Sequence, residues 1–383
     1  MTQTQKPYRI FISAAEPSGD SHCAGLINAI READPDVEFT GVGGPKMAEA
    51  GCELLANSVQ KAAMAHKAFA QAGYFLKLII KIKRLLRTQK PDLVILCDSP
   101  AFNFHIAKAA KKQNIKTLFY VAPQLWAWAP WRIRKLRKCC DKLCCILPFE
   151  QQWFTQRAVD TTFVGNPLLD GLQNIEQYKK DYTNFDPSSA HIAIMPGSRT
   201  AEIDSLWKPM QLIGKRLKKK YPRITFTTVA VDQKRKEKLR SLEMIGFKCN
   251  YAIGSVPLAA RNADFTIVAS GSATLQVAAA GCPMVIMYQS SRLVWHLLGW
   301  WLIKTNFLSL VNILAGCQLV PEFMPYFKSI DPIVNTIEKL LENRTTLTQT
   351  STDLIRLTTP LAKSSAAKKT AKIAKNLLNP QTF

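Results

Sequence analysis

Acidic residues are in short supply in this 383-residue chain: 28 Asp and Glu stand against 51 Lys and Arg, a formal net charge of +23. Only 21% of the residues are charged, so the imbalance comes from missing carboxylates and not from basic low-complexity tails. The partner is therefore expected to be anionic: nucleic acid, an anionic membrane surface or a phosphorylated substrate. Histidine is scarce, with five residues, and none of the ten cysteines has the paired spacing of a zinc site, so no metal site is expected. Ten cysteines over this length do not make a disulfide scaffold, which points to reduced, cytosolic thiols. The doublets Cys139-Cys140 and Cys144-Cys145 read as small hydrophobes entering a strand. The sequence has no period of roughly 20 to 50 residues, which excludes a solenoid. It carries no nucleic-acid-binding module to match its charge, so no nucleic acid is expected as partner.

What is present is apolar sequence, 47% of the chain, enough to fill two cores. Met1 to Pro7 is polar, and the apolar stretch Tyr8 to Ala15 is too short for a signal-peptide core, so it reads as a first strand with no export. Short apolar runs, Gly/Ser turns and longer amphipathic stretches then alternate, the signature of parallel strands joined by crossover helices and hence of an α/β fold. In the first half, strands are expected at Arg9 to Ala14, Val37 to Val42, Leu93 to Cys97, Lys116 to Tyr120, Lys142 to Leu147 and Thr162 to Val164. Helices are expected at about Ser21 to Ala33, Gly73 to Gln89 and Phe104 to Gln113. The polar stretch Leu168 to Ser189 is the natural linker, and a second cycle begins at His191. Its strands are His191 to Met195, Thr225 to Val231, Phe265 to Ala269 and Pro283 to Met287. The division predicted is a first domain over residues 1–168 and a second over 169–349, with helices from about 350 to 383 packing back on the first.

Four strand ends carry chemistry-bearing turns. Glu16, Ser18, Gly19 and Asp20 follow the first strand, where a parallel sheet places its ligand crevice; as structure alone, they cap and open a helix. Asp98 ends an apolar strand, the place for a general base, and as structure alone starts an Asx turn before Pro100. Pro196-Gly197-Ser198-Arg199, with Glu202, offers a guanidinium fork to a diphosphate. Ser270-Gly271-Ser272, leading to Thr274, is neither a Walker A loop nor a GxGxxG fingerprint, but its hydroxyls and N–H groups make an anion cradle.

Two segments mix cations with apolar residues: 73–90, with Lys77, Lys81, Lys83, Arg84 and Arg87, and 126–138, with three tryptophans and five cations. Both suit a monolayer with anionic headgroups; for the first, a core-facing helix with snorkelling lysines is an equal alternative. Residues 293–310 are Trp-rich but interrupted by His296, Lys304, Thr305 and Asn306, so they read as interfacial or buried and not as a span.

Taken in order, the segments resemble the lipid-A-disaccharide synthase family of inverting glycosyltransferases. They are ISAAEPSGDSHCAGLI from Ile12, GVGGPKMAEAGCE from Gly41, CDSPAFN from Cys97, YVAPQLWAW from Tyr120, ILPFEQQWF from Ile146, FVGNPLLD from Phe163, IMPGSRTAEI from Ile194, VASGSATLQVAAAGCPMVIMY from Val268 and LVNILAGCQLVPEF from Leu310. The resemblance implies a GT-B fold, two Rossmann-like domains with a ligand cleft between them. It also implies transfer of a diacylated glucosamine from UDP-2,3-diacylglucosamine to the 6-hydroxyl of 2,3-diacylglucosamine 1-phosphate, with release of UDP and no cofactor or metal. On that likeness Asp98 takes the acceptor proton, and Arg199 with the Ser270 to Thr274 turn stabilises the leaving diphosphate. Gly197, Ser198, Gln276 and Asn312 complete the donor side, and Glu16, Ser18, Gly19 and Asp20 the acceptor side. The implied location is peripheral, on the inner face of the inner membrane; a homodimer stays open. The chain departs from the family pattern at Gln276 (usually Glu), Ala101 (usually a second acid) and Asn166 (usually His), and over Lys61 to Ala70, where the family tends to carry a glycine followed by a glutamate. Two rivals remain: another UDP-sugar enzyme of this architecture, and a catalytically silent basic surface protein.

Overall fold

Uninterrupted apolar runs such as Arg9–Ala14, Leu93–Cys97 and Phe265–Ala269 suit strands buried on both faces, the condition that parallel sheets impose. The computed structural model, which describes residues 7–57, 68–172, 174–290 and 307–379, arranges them in two such sheets. The chain forms two compact units, Met1–Gly171 with Lys363–Phe383, and Leu172–Ala362.

In the first unit, strands β1 (Arg9–Ala14), β2 (Glu38–Gly43), β3 (Glu53–Asn57), β4 (Leu93–Cys97), β5 (Lys116–Tyr120), β6 (Lys142–Cys145) and β7 (Thr161–Phe163) pair in parallel. Their order is β3-β2-β1-β4-β5-β6-β7. Helices α1 (Pro17–Ala33), α2 (Pro45–Glu49), α3 (Ala68–Gln89), α4 (Pro100–Lys112), α5 (Leu125–Trp128), α6 (Ile133–Cys139) and α7 (Pro148–Thr155) make the crossovers. Both α1 and α4 start four residues ahead of the expected Ser21 and Phe104, because Pro17 and Pro100 take the first helical position, where a fixed φ and a missing N–H cost nothing.

In the second unit, β8 (His191–Met195), β9 (Thr225–Ala230), β10 (Asn250–Ile253), β11 (Phe265–Ala269), β12 (Met284–Met287) and β13 (Glu322–Phe323) are also parallel, in the order β10-β9-β8-β11-β12-β13. Helices α8 (Thr200–Lys220), α9 (Gln233–Ser241), α10 (Val256–Asn262), α11 (Ala273–Ala279), α12 (Leu310–Ala315), α13 (Asp331–Leu341) and α14 (Arg344–Ala362) cover it. The linker region is pinned to this unit: Tyr182 is buried and its hydroxyl donates to Asp264 O at 2.6 Å. The return of the tail is narrower than expected. Helix α14 stays with the second unit, its Ser351 Oγ accepting from Lys180 N at 2.8 Å. Only α15 (Ala366–Leu378) joins the first, with Asp170 accepting from Ala366 N and Ala367 N at 2.7 and 2.9 Å. Its alanine face (Ala366, Ala367, Ala371, Ala374) lies in the same buried cluster as α1.

Candidate active site

The winding of the second sheet reverses between β8 and β11, which pair so that Met195 lies opposite Val268. The turns leaving these strands diverge there, and this is where an open α/β sheet takes its ligand. A cavity of about 320 Å³ opens at that point, lined among others by Gly197, Ser198, Arg199, Ser270, Gly271, Ser272 and Gln276. Gly197 and Gly271 hold φ of +109° and +153°, conformations that L side chains rarely adopt, and a Cβ on Gly197 would strike Glu202 Oε2 at 2.4 Å. Glu202, in the first turn of α8, accepts from Ser198 N at 2.8 Å and Arg199 N at 3.1 Å. These two N–H groups are thus met from within, and the charged group this turn offers an anion is the Arg199 side chain, 74% exposed with Nη1 3.9 Å from Glu202 Oε1. In the second turn Ser270 N donates to Met287 O, and Gly271, Ser272 and Ala273 present the start of α11 to the cavity.

Two donor-side expectations are corrected. Thr274 is fully buried and its hydroxyl donates to Gly271 O at 2.7 Å, so it builds the turn and does not line the cavity. Asn312 is buried too; its amide donates to Val320 O and Glu322 Oε2 and accepts from Val320 N, tying α12 to the β13 approach. With both amide hydrogens taken by these groups, the buried side chain has no N–H left to offer a donor sugar.

The first sheet reverses between β1 and β4, where Ala14 pairs with Cys97, and the turns of Glu16 and Asp98 leave side by side. Both carboxylates act on Cys97: after the hydrogen bond to Cys23 and burial, the charges of Cys23, Asp98 and Glu16 push this thiol well above its ordinary range. Asp98 and Ser99 are consecutive non-glycine residues at φ +51° and +42°, a strained turn. One fully buried side chain spans it: Asn103 Nδ2 donates to Cys97 O at 2.9 Å and Asp98 O at 2.7 Å, while its Oδ1 accepts from Ser13 Oγ at 2.8 Å. In the sequence neither Asn103 nor Ser13 stands out as a functional residue; the signal for Asn103 is a polar residue closing the CDSPAFN segment five positions after Asp98. Glu16 is half-buried and Ser18 exposed, at the start of α1. Gly19 and Asp20 turn inward instead. A Cβ on Gly19 would lie 3.2 Å from that of Ala14, so this glycine serves close packing. Asp20 is 3% exposed and accepts from Gly44 N, Lys46 N and Met47 N, capping α2. Beside it, burial and the charge of Lys46 push His22 down to about 4, so its ring is neutral near pH 7. Asn166 is buried, its Oδ1 accepting from Leu168 N at the turn after β7.

Of the basic apolar segments, 73–90 is the bulk of α3, with Leu76 and Ile80 each 60% exposed. In 126–138, Trp131 is 62% exposed, while the Trp126 indole donates to buried Glu150 at 2.9 Å. Most of 293–310, like most of Lys61 to Ala70, lies outside the described residues. Among the described residues no helix is long and apolar enough to cross a membrane, and no group of three or more His, Cys, Asp or Glu is placed to hold a metal ion.

The structure has the fold of Neisseria meningitidis UDP-GlcNAc 2-epimerase bound to UDP-GlcNAc (TM-score 0.59, 12% identity, covering 97% of this chain and 100% of that one). It is equally similar to Acinetobacter baumannii MurG (TM-score 0.59, 16% identity, 97% and 100% covered). At such identities the likeness concerns fold, and it agrees with the expected α/β, GT-B type. In sequence, the chain is 33% identical to the lipid-A-disaccharide synthase of Trichlorobacter lovleyi over 88% of its length and 89% of that protein's. It is 32% identical to that of Geobacter metallireducens over 97% of both. The family model described as "Lipid-A-disaccharide synthetase" (LpxB) matches residues 10–377. The chain belongs to the lipid-A-disaccharide synthase family of glycosyltransferases.

Proposed function

We propose that this chain joins UDP-2,3-diacylglucosamine to 2,3-diacylglucosamine 1-phosphate, forming a β(1→6)-linked disaccharide 1-phosphate and UDP with inversion at C1. The observation that carries this is the family match over residues 10–377, which takes in both reversal points. In this reading the second unit holds the donor. Arg199 pairs with the diphosphate while Ser270, Gly271 and Ser272 meet its oxygens, and Gln276 bonds the ribose. The first unit offers Asp98 as general base, with Glu16 and Ser18 beside the acceptor. The acceptor O6 attacks C1 as the C1–O bond to the diphosphate breaks; the O6 proton goes to the Asp98 carboxylate and the electron pair leaves with UDP. Charge grows on the leaving diphosphate, and a guanidinium paired with it there stabilises the transition state more than the ground state.

Both substrates carry acyl chains, which supports a peripheral site at an anionic membrane, the inner face of the inner membrane, engaged through α3 and the 126–138 segment. The test is to incubate the purified protein with both substrates in detergent micelles and follow disaccharide and UDP by mass spectrometry. Product is expected from the native chain, and Asp98→Asn should remove turnover while keeping UDP-sugar affinity. UDP binding without product would replace this reading by another UDP-sugar reaction on the same fold; equal loss of turnover and binding in Asp98→Asn would make Asp98 structural.

A further inference from the structure

On one flank of the first sheet α3 and α4 lie together, Phe75 packing edge-on against Phe102 with ring centroids 5.3 Å apart. Ile82 and Leu86 of α3, with Ile106 and Ala110 of α4, fill the core beneath them. Their outward faces leave a groove of about 320 Å³ lined by Lys83, Arg87, His105, Lys108, Lys112 and the neighbouring Ala109 and Gln113. No carboxylate lines it. Among the described residues none of its five basic side chains has a hydrogen bond or ion pair. Their spacing makes two stripes. Leu76, Ile80, Lys83 and Arg87 follow one another by four, three and four positions along one face of α3, and His105, Lys108 and Lys112 by three and four along α4. The α3 stripe therefore passes from two bare aliphatic side chains, each 60% exposed, to two cations within about 16 Å.

We infer that this groove seats the phosphodiester headgroup of an anionic phospholipid, with Leu76 and Ile80 entering the acyl region beside it. Apolar residues that grade into cations along one helix face match the order of acyl chain and phosphate in a monolayer. A nucleic-acid phosphodiester has the same charge, but no Phe, Tyr or Trp lines the groove to stack a base, and Leu76 and Ile80 would have no partner. The acceptor turn is not involved: α4 begins beside Asp98, and Lys112 ends it about 18 Å further along the axis. The inference rests on the peripheral-membrane reading and gives it a specific address.

The full chain would be cosedimented with phosphatidylcholine vesicles with and without phosphatidylglycerol. Binding is expected only with phosphatidylglycerol. Lys83→Gln with Arg87→Gln should weaken it about 25-fold, roughly fivefold per cation at an anionic surface. The same neutralisation at Lys234 and Lys236, on the basic helix α9 of the other unit, should cost less than about threefold. Circular dichroism checks that each variant is folded. A native chain that ignores phosphatidylglycerol overturns the membrane reading and this site with it. Equal losses in the two double variants overturn the groove alone, leaving binding by diffuse charge. Free glycerol phosphate that occupies the groove as tightly as vesicles do would reassign it to a soluble phosphate and also overturn the inference.

Discussion

Replacing Asn103 by alanine tests whether the Asp98 turn is held in a working conformation or merely folded. The substitution removes two donations, to Cys97 O and Asp98 O, and leaves the buried Ser13 hydroxyl without its acceptor. Each buried partner left unmet costs about 1–3 kcal/mol, partly recovered where a carbonyl keeps other partners, so a stability loss of about 3 kcal/mol is expected. The larger effect is on rate. Asp98 and Ser99 each occupy a left-handed conformation that costs a non-glycine residue about 1–2 kcal/mol, and Asn103 bonds the carbonyls on both sides of Asp98's Cα. Without that clamp the turn relaxes and the carboxylate shifts; a displacement near 1 Å costs about 100-fold in kcat. UDP affinity, which the proposed reading assigns to the second unit, should stay within about twofold, the margin usual between distant, independent sites. Steady-state kinetics, UDP titration calorimetry and urea melts separate these effects. Adding Ser99→Gly, which removes the penalty at φ +42°, should restore part of both kcat and stability. A variant with lowered stability but kcat within about threefold of native would refute the reasoning, since a clamp irrelevant to Asp98 predicts that outcome.

Two further outcomes follow from the same geometry. Gln276 lines the cavity of the second unit as a neutral amide; if it bonds the ribose as proposed, Gln276→Glu offers a carboxylate whose hydrogen bonds are roughly twice as strong, so UDP affinity should rise about fivefold by calorimetry. No gain would mean that position 276 does not reach the ribose. Glu150 is 1% exposed, and burial, outweighing its three N–H donors (Trp126, Leu147 and Ile146), pushes its carboxyl from 4.5 up to about 7. The unfolded chain releases this proton near 4.5 and the folded chain only near 7, so stability falls as pH rises through that window, by about 3 kcal/mol at most. In Glu150→Gln this component is gone, and the difference between native and variant urea midpoints should change across pH 4.5 to 7; a constant difference would show that Glu150 titrates alike in the folded and unfolded chains.

The turns at the carboxyl ends of both sheets were legible because several features coincide there: an apolar run, a small-residue turn and a helix start. That pattern located the Glu16, Asp98, Gly197 and Ser270 turns, while the strand order, and with it the reversal points between β1 and β4 and between β8 and β11, is visible only in the structure. Edge strands β3, β10 and β13 escaped notice; they are short and half-exposed, so neither a continuous apolar run nor a clean alternation marks them. Side-chain direction was also hidden, and for one recurring reason. Asp20, Thr274 and Asn312 are polar residues at or beside the right turns, yet each faces inward to bond backbone groups: Asp20 those of residues 44–47, Thr274 that of Gly271, and Asn312 that of Val320. Asn103 is the converse case, invisible as a functional residue because its acceptor bond comes from Ser13, 90 positions away. A buried backbone N–H or C=O must find a partner, and in a tight strand-end turn the nearest short polar side chain supplies it. Polar residues at such turns are therefore divided by the demands of the backbone as well as of a ligand: Ser198, Arg199, Ser270, Ser272 and Gln276 line the cavity of the second unit, and Glu202 lines it while accepting from Ser198 N and Arg199 N. It follows that for each polar residue at a strand end, the first question is whether a neighbouring turn has a main-chain group in need of it.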